Sequence, residues 1–237
     1  LRMDKFFRFD ERRPTVNIQN GLMESVQFSR GGLFAVKQPD RDRDVVLIVT
    51  EEPHLCWEAF AEQLINVARI TDTSEFISLG SLYDGVLHTE ALISGFAGSA
   101  VHLEELAALG IRPVTYQGPS AIHSILHLKA CEGGIKACSL WTHCPYYLEG
   151  TSHPGLIAAT ANIVGRILDL TLDTQDLAQE WERLKRDIQV AIEENPKLQK
   201  LIGELRRAKV RGAWANRSVP NRSGDKVIRL KDFQDPN

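Results

Sequence analysis

Cysteine, methionine and aromatic side chains are scarce in this chain, and long apolar runs are missing altogether. Of 237 residues, four are cysteine, two are methionine and 7% are aromatic. Cys56, Cys131, Cys138 and Cys144 make no CxxC pair and show no zinc-ligand spacing, which argues against a structural zinc site. We read them as reduced thiols whose main role is packing. No apolar run approaches the roughly 18 residues that span a bilayer. The segment Leu1-Arg2-Met3-Asp4-Lys5-Phe6-Phe7 lacks the apolar stretch of a secretory signal, so a cytoplasmic protein is expected.

Sequence motifs for common chemistries are missing as well. There is no GxxxxGKS/T, hence no nucleotide P-loop, and no GxSxG serine elbow. His123 and His127 stand four apart on one helix face, but Ser124 occupies the place where a zinc protease needs glutamate. Gly95-Phe96-Ala97-Gly98-Ser99 follows a strand and precedes a helix, a place where phosphate can meet helix N–H groups. Its spacing is not GxGxxG, and close backbone packing explains the glycines equally well. No cofactor and no metal are expected.

What is present is an ordinary globular composition, 43% hydrophobic and 25% charged. At this length roughly 70% of the unfolded chain's surface can be buried, enough for a core without staples. The net charge of −3 hides an asymmetry: residues 205–237 carry nine Lys or Arg against three Asp, leaving the tail at +6 and the body at −9. A basic tail on an acidic body can bind nucleic acid or fold back on its own body. With only Trp214 and Phe233 as aromatics and no nucleic-acid motif, the second reading is preferred.

The pattern alternates strand and helix. Val16-Asn17-Ile18 and Leu33-Phe34-Ala35-Val36 suggest short strands. Val45–Val49 is an unbroken apolar, mostly β-branched run, which suggests an interior parallel strand covered on both faces. Trp57, Phe60, Ala61, Leu64, Val67 and Ala68 form one helical stripe. Phe76–Leu79, Ala91–Ser94, Pro113–Tyr116 and Ile135–Trp141 suggest further strands. Helices are expected through Leu103–Gly110, from about Ala121 to Cys131, and over residues 154–170. The fold class is therefore α/β, three layers with a mostly parallel or mixed sheet, with Val45–Val49 and Ile135–Trp141 in one β-layer. Leu177, Trp181, Leu184, Ile188 and Ala191 form a heptad-like stripe, and Asn195-Pro196 ends that helix and caps the next. Too few heptads are present for a free coiled coil, so this C-terminal helical hairpin is expected to pack within the chain. The division expected is 1–172 for the α/β domain, 173–209 for the helical extension and 210–237 for a loose basic tail.

In open parallel sheets, ligands bind beyond the carboxyl ends of the strands. The polar residues placed there define a candidate crevice: Glu51, Glu52, His54, Tyr83, Asp84, His88, Tyr116, His143 and Tyr147. Carboxylates and imidazoles converging on one crevice can do acid–base work. They can equally be ordinary loop polars and helix caps.

A set of short motifs carries a family resemblance. Glu52-Pro53 with Trp57, Leu79-Gly80, His88-Thr89, Tyr116-Gln117-Gly118-Pro119, Ser139-Leu140-Trp141 and Pro145-Tyr146-Tyr147 occur in the order seen in the proteasome assembly chaperone two-like family. The chain resembles that family over roughly 45–170, and over 171–209 as its helical tail. The resemblance implies a phosphorylase- or hydrolase-like α/β fold and a homo-oligomer, with a trimer favoured. It also implies a role in helping other proteins assemble. Two departures stand out. Glu90 follows His88-Thr89 where relatives usually carry Arg, and the chain ends Asp235-Pro236-Asn237 rather than in a hydrophobic-Tyr-any docking tail.

Two functions are compatible with these residues. The first is a non-catalytic, self-associating scaffold that binds another, unknown protein and has neither a membrane nor a nucleic acid as partner. The second is an enzyme of the phosphorylase or hydrolase type, or the ATP-dependent ligase that some relatives are labelled, using Glu51 or Glu52 with His88 or His143.

Overall fold

A computed structural model describes residues 3–11, 13–28, 31–38 and 41–210; the basic tail expected from residue 210 onward lies almost wholly outside them. In chain order the elements are strands β1 (Thr15–Gln19), β2 (Leu22–Gln27), β3 (Gly32–Val36) and β4 (Val45–Val49), helix α1 (Trp57–Ile70), and β5 (Glu75–Asp84). There follow β6 (Ile93–Ala97), α2 (Ala100–Ala108), β7 (Arg112–Pro113), α3 (Ile122–Glu132) and β8 (Lys136–Pro145), then α4 (Pro154–Leu168), α5 (Gln175–Glu194) and α6 (Pro196–Val210). The chain divides into two compact units, Leu1–Phe76 with Gln117–Ala137, and Ile77–Tyr116 with Cys138–Asn237.

The first unit is built from two hairpins and two helices. Asn20 and Gly21 both take positive φ, the geometry of a two-residue hairpin turn that matches strand twist, so β1 and β2 pair antiparallel around them. β3 pairs antiparallel with β4, Gly32 opposite Val49 and Val36 opposite Val45. This corrects the expectation for Val45–Val49, which is not an interior parallel strand and does not share a sheet with β8. Ile48 packs on the core, while Leu47 and Val49 stay half exposed. The run lacks alternation because its outer face is apolar too, not because both faces are covered.

Helix α1 buries Phe60, Ala61, Leu64, Ile65 and Ala68; of the stripe read from the sequence Trp57 and Val67 are only partly buried, and Ile65 joins it. Its start is fixed by the Trp57 indole, whose Nε1–H donates to the Pro53 carbonyl at 2.6 Å. Its end is fixed by Thr71, which returns both its N–H and its hydroxyl to Val67 O, with left-handed Asp72 next in line. Phe6 and Phe7 pack on α1 and on Ile122 and Leu126 of α3, with the Phe6 and Phe60 rings edge-on at 5.3 Å. Burying a phenylalanine in this way contributes on the order of 2–3 kcal/mol.

The second unit is organised by a four-stranded mixed sheet in the order β5-β8-β6-β7. β6 runs antiparallel to β8, Ile93 opposite Thr142 and Ala97 opposite Cys138, and parallel to β7. Leu106 of α2 and Ile163, Val164 and Ile167 of α4 pack with Ile93, Cys138 and Leu140. Gly95 and Ala97, expected in a turn, are strand residues. A Cβ on Gly95 would lie 2.7 Å from the Ser139 carbonyl oxygen, so close backbone approach accounts for this glycine.

Ser99 caps α2 by accepting from His102 N–H at 3.2 Å. Asn195 caps α6 through Lys197 and Leu198 N–H, with Pro196 at its first position, as the sequence suggests. Ile188, Leu198 and Ile202 are buried with Leu87, Tyr147 and Leu148, so the last two helices pack within this unit. No helix among the described residues is long and apolar enough to cross a membrane.

Candidate functional site

β8 lies between β5 and β6, so side chains from three neighbouring strands can meet on one face. Asp84 ends β5, Ser94 lies in β6 and His143 lies in β8. Ser94 sits directly opposite Trp141, and His143 is two residues further along on the same face. The three polar side chains form one chain of hydrogen bonds. Ser94 Oγ lies 2.7 Å from His143 Nε2, and His143 Nδ1 lies 2.8 Å from Asp84 Oδ2.

The second oxygen of Asp84 accepts the Gly85 N–H at 2.6 Å. The hydrogen bond from His143 and that from the Gly85 backbone hold the Asp84 carboxyl below the usual carboxylate range, against the opposing pull of burial. An ionised carboxylate only accepts, so an imidazole carrying one proton holds it on Nδ1, which leaves Nε2 as the acceptor facing the Ser94 hydroxyl. Ser94 is buried, whereas the His143 and Asp84 side chains are 15% and 25% exposed. Beside them the Trp141 ring lies flat on Gly80, where a Cβ would come within 2.9 Å of it, and Nε1–H donates to Ser139 Oγ at 3.0 Å.

A second network in the same unit is closed and neutral. The His88 N–H donates to the Tyr147 hydroxyl oxygen at 2.7 Å, and that hydroxyl can then donate to His88 Nδ1 at 2.8 Å. His153 Nε2–H donates to the His88 carbonyl at 3.1 Å, while its Nδ1 accepts from Leu156 N–H at 3.2 Å and so caps α4. The Trp181 ring stacks on His153 at 4.4 Å. Burial, helped by the cationic Arg206 and by repulsion from His153 whenever that ring is protonated, pushes the His88 pKa down to about 4. Burial lowers His153 and raises Tyr147. These groups are held uncharged with each ring nitrogen or hydroxyl just described engaged, an arrangement suited to holding α5 against α4 rather than to moving protons.

Tyr83 is 46% exposed and its hydroxyl accepts the Gly150 N–H at 3.3 Å. It lines a cleft of about 680 Å³ together with Leu79, Thr142, Cys144, Ile157 and Thr160. Tyr116 is 68% exposed. Glu51, Glu52 and His54 belong to the first unit. Glu52 Oε1 accepts the Ile122 N–H at 2.8 Å and so caps α3, and His54 stands edge-on to Phe7 at 6.0 Å. Glu51 is half-buried just after β4. Glu90, the residue at odds with the resemblance, pairs with Lys209 of α6 and accepts the Leu87 N–H through its other oxygen.

Ser94 was not among the residues singled out from the sequence. It sits inside a strand, with neither a GxSxG turn nor a charged neighbour to mark it. The available signal was its place on the strand that pairs beside His143.

These features define a mixed α/β protein whose central sheet gathers a polar trio on one face and whose C-terminal helices close on a buried histidine–tyrosine network. The chain belongs to the PAC2 family, whose sequence model matches residues 1–192. Solved structures agree in fold. A proteasome-assembly chaperone homologue from Mycobacterium tuberculosis is 26% identical, with 84% of each chain covered and a TM-score of 0.75. A PAC2 family protein from Streptomyces avermitilis is 23% identical, with 85% of this chain and 84% of that chain covered and a TM-score of 0.71. An archaeal homologue of proteasome-assembly chaperone from Pyrococcus furiosus is 18% identical, covering 85% and 77%, with a TM-score of 0.54. No curated protein matches the sequence.

Proposed function

We propose that this chain is a chaperone-like assembly protein that associates with copies of itself and engages a further protein partner. Family membership and the likeness to proteasome-assembly chaperone homologues support the chaperone-like role. One observation supports self-association. Val16, Ile18, Leu22, Met23 and Val26 on the first hairpin, with Leu33, Phe34, Val36, Leu47 and Val49 on the second, are all at least 45% exposed. Hairpins with large apolar side chains on their outer faces are liabilities in a free monomer and are the usual material of subunit interfaces. A stable interface needs about 1,000 Å² of total buried surface, which several such side chains from each copy can supply.

The second reading from the sequence, acid–base catalysis by Glu51 or Glu52 with His88 or His143, finds less support, because Glu52 caps a helix, His88 is locked in the neutral network and His143 is bonded to Ser94 and Asp84.

Sedimentation of the full chain at micromolar concentration tests the proposal. The wild type is expected to run as a multimer, with a trimer favoured, and the Leu22→Lys, Leu47→Lys double variant as a folded single chain. A wild type that sediments as a single chain overturns the self-association.

A further inference from the structure

We propose that Ser94, His143 and Asp84 form a nucleophilic serine site, giving this chain an acyl-transfer activity beyond its assembly role. Nucleophilic serine catalysis requires a base against the hydroxyl and a third group that fixes the base in the right tautomer. Here the base nitrogen lies 2.7 Å from Ser94 Oγ and the orienting carboxylate 2.8 Å from the opposite ring nitrogen, both within the range such a relay needs. A relay of this kind is defined by geometry and not by residue order, so the order Asp84, Ser94, His143 is no obstacle.

The three groups come from the ends or middles of three adjacent strands, which are rigid supports. Most buried serine hydroxyls are satisfied by backbone; this one is engaged by an imidazole whose far side is already held.

The surroundings point to the substrate class. Trp141 stands opposite Ser94 and lies on Gly80, and Phe96 shares the face two residues along β6. With Trp141 and Phe96 along the same face and the Asp84 carboxylate beside His143, the neighbouring chemistry favours an uncharged ester with an aromatic or short aliphatic acyl group over an anionic one. In the first step Ser94 Oγ bonds to the carbonyl carbon of an ester while its proton moves to His143 Nε2. The bond from that carbon to the alcohol oxygen breaks, and the leaving oxygen takes the proton from Nε2. In the second step water bonds to the acyl carbon and gives a proton to Nε2. The bond to Ser94 Oγ breaks, and that oxygen recovers the proton. The sum is ester plus water to acid plus alcohol. Ser94 and His143 are the catalytic residues, and Asp84 positions the imidazole.

The test uses the full-length protein with a biotinylated fluorophosphonate and with p-nitrophenyl butyrate. The fluorophosphonate bonds to Ser94 through phosphorus with loss of fluoride, and peptide mass spectrometry locates the adduct. The wild type is expected to carry one adduct, on Ser94. Ser94→Ala should abolish it, His143→Ala should slow labelling and ester turnover at least 100-fold, and Asp84→Asn should shift the pH profile of both rates. Ser94→Cys guards against a loss of fold in the alanine variant. It should keep the wild-type circular dichroism, resist the fluorophosphonate and accept iodoacetamide at residue 94. A folded wild type that takes no adduct on Ser94, or a His143→Ala variant labelled at the wild-type rate, overturns the proposal.

Discussion

Acid should loosen this protein at one identifiable place. His88 is 8% exposed, and its pKa is pushed from 6.5 down to about 4, first by burial and then by the neighbouring His153 and Arg206, which disfavour a second positive group. The groups facing it are Tyr147, whose hydroxyl is bonded to its ring, His153, Arg206 of α6 and the Trp181 ring. A histidine depressed in the folded state is protonated more readily once unfolded. Its contribution is therefore complete above pH 6.5 and falls as pH drops toward 4. At roughly 1.4 kcal/mol per pH unit the loss is about 2 kcal/mol at pH 5 and about 3 kcal/mol at pH 4. His153 is depressed as well and adds in the same direction. Asp84 loses its stabilisation only below the ordinary aspartate range, so it does not blur this window.

The assay is urea unfolding followed by circular dichroism at fixed protein concentration, between pH 7 and pH 4.5. The His88→Asn variant supplies a neutral acceptor for the Tyr147 hydroxyl that does not titrate. The wild type should lose stability steeply over this range and the variant should lose much less. Parallel profiles for the two would refute the assignment of the acid sensitivity to His88.

Two further substitutions probe the cores of the two units. Phe6→Ala removes a fully buried ring from the first unit and should cost about 3–5 kcal/mol by urea unfolding. Gly95→Ala would set a Cβ 2.7 Å from the Ser139 carbonyl oxygen and 3.2 Å from Ile111 and Leu140, and should cost about 1–3 kcal/mol by the same measurement.

Much of the fold was legible because local rules were obeyed. The α1 stripe, the strand at Ile135–Trp141 and the Asn195-Pro196 junction each carry a pattern that only one local structure satisfies. The first 40 residues were harder to read, although Asn20-Gly21 is a strong hairpin signal between two short strands. Val45–Val49 misled for a physical reason: an apolar run reports apolar faces, and periodicity cannot say whether another element covers them.

The site was legible only in part. Asp84 and His143 are polar residues at strand ends, where loops carry function in α/β proteins. Their connection through Ser94 depends on β8 lying between β5 and β6, and no local pattern encodes that strand order. His88 and Tyr147 were chosen for their titratable groups, yet the structure uses them to close a buried network around the C-terminal helices.

Carbene footprinting of the full chain across a dilution series, read residue by residue with mass spectrometry, bears most directly on the assembly role. If a second copy covers the hairpins, labelling of Leu22, Met23, Phe34 and Leu47 should fall as concentration rises through the association range. Labelling at exposed Tyr116 should stay constant. Hairpin labelling that does not change while the protein self-associates would place the interface elsewhere and contradict the account.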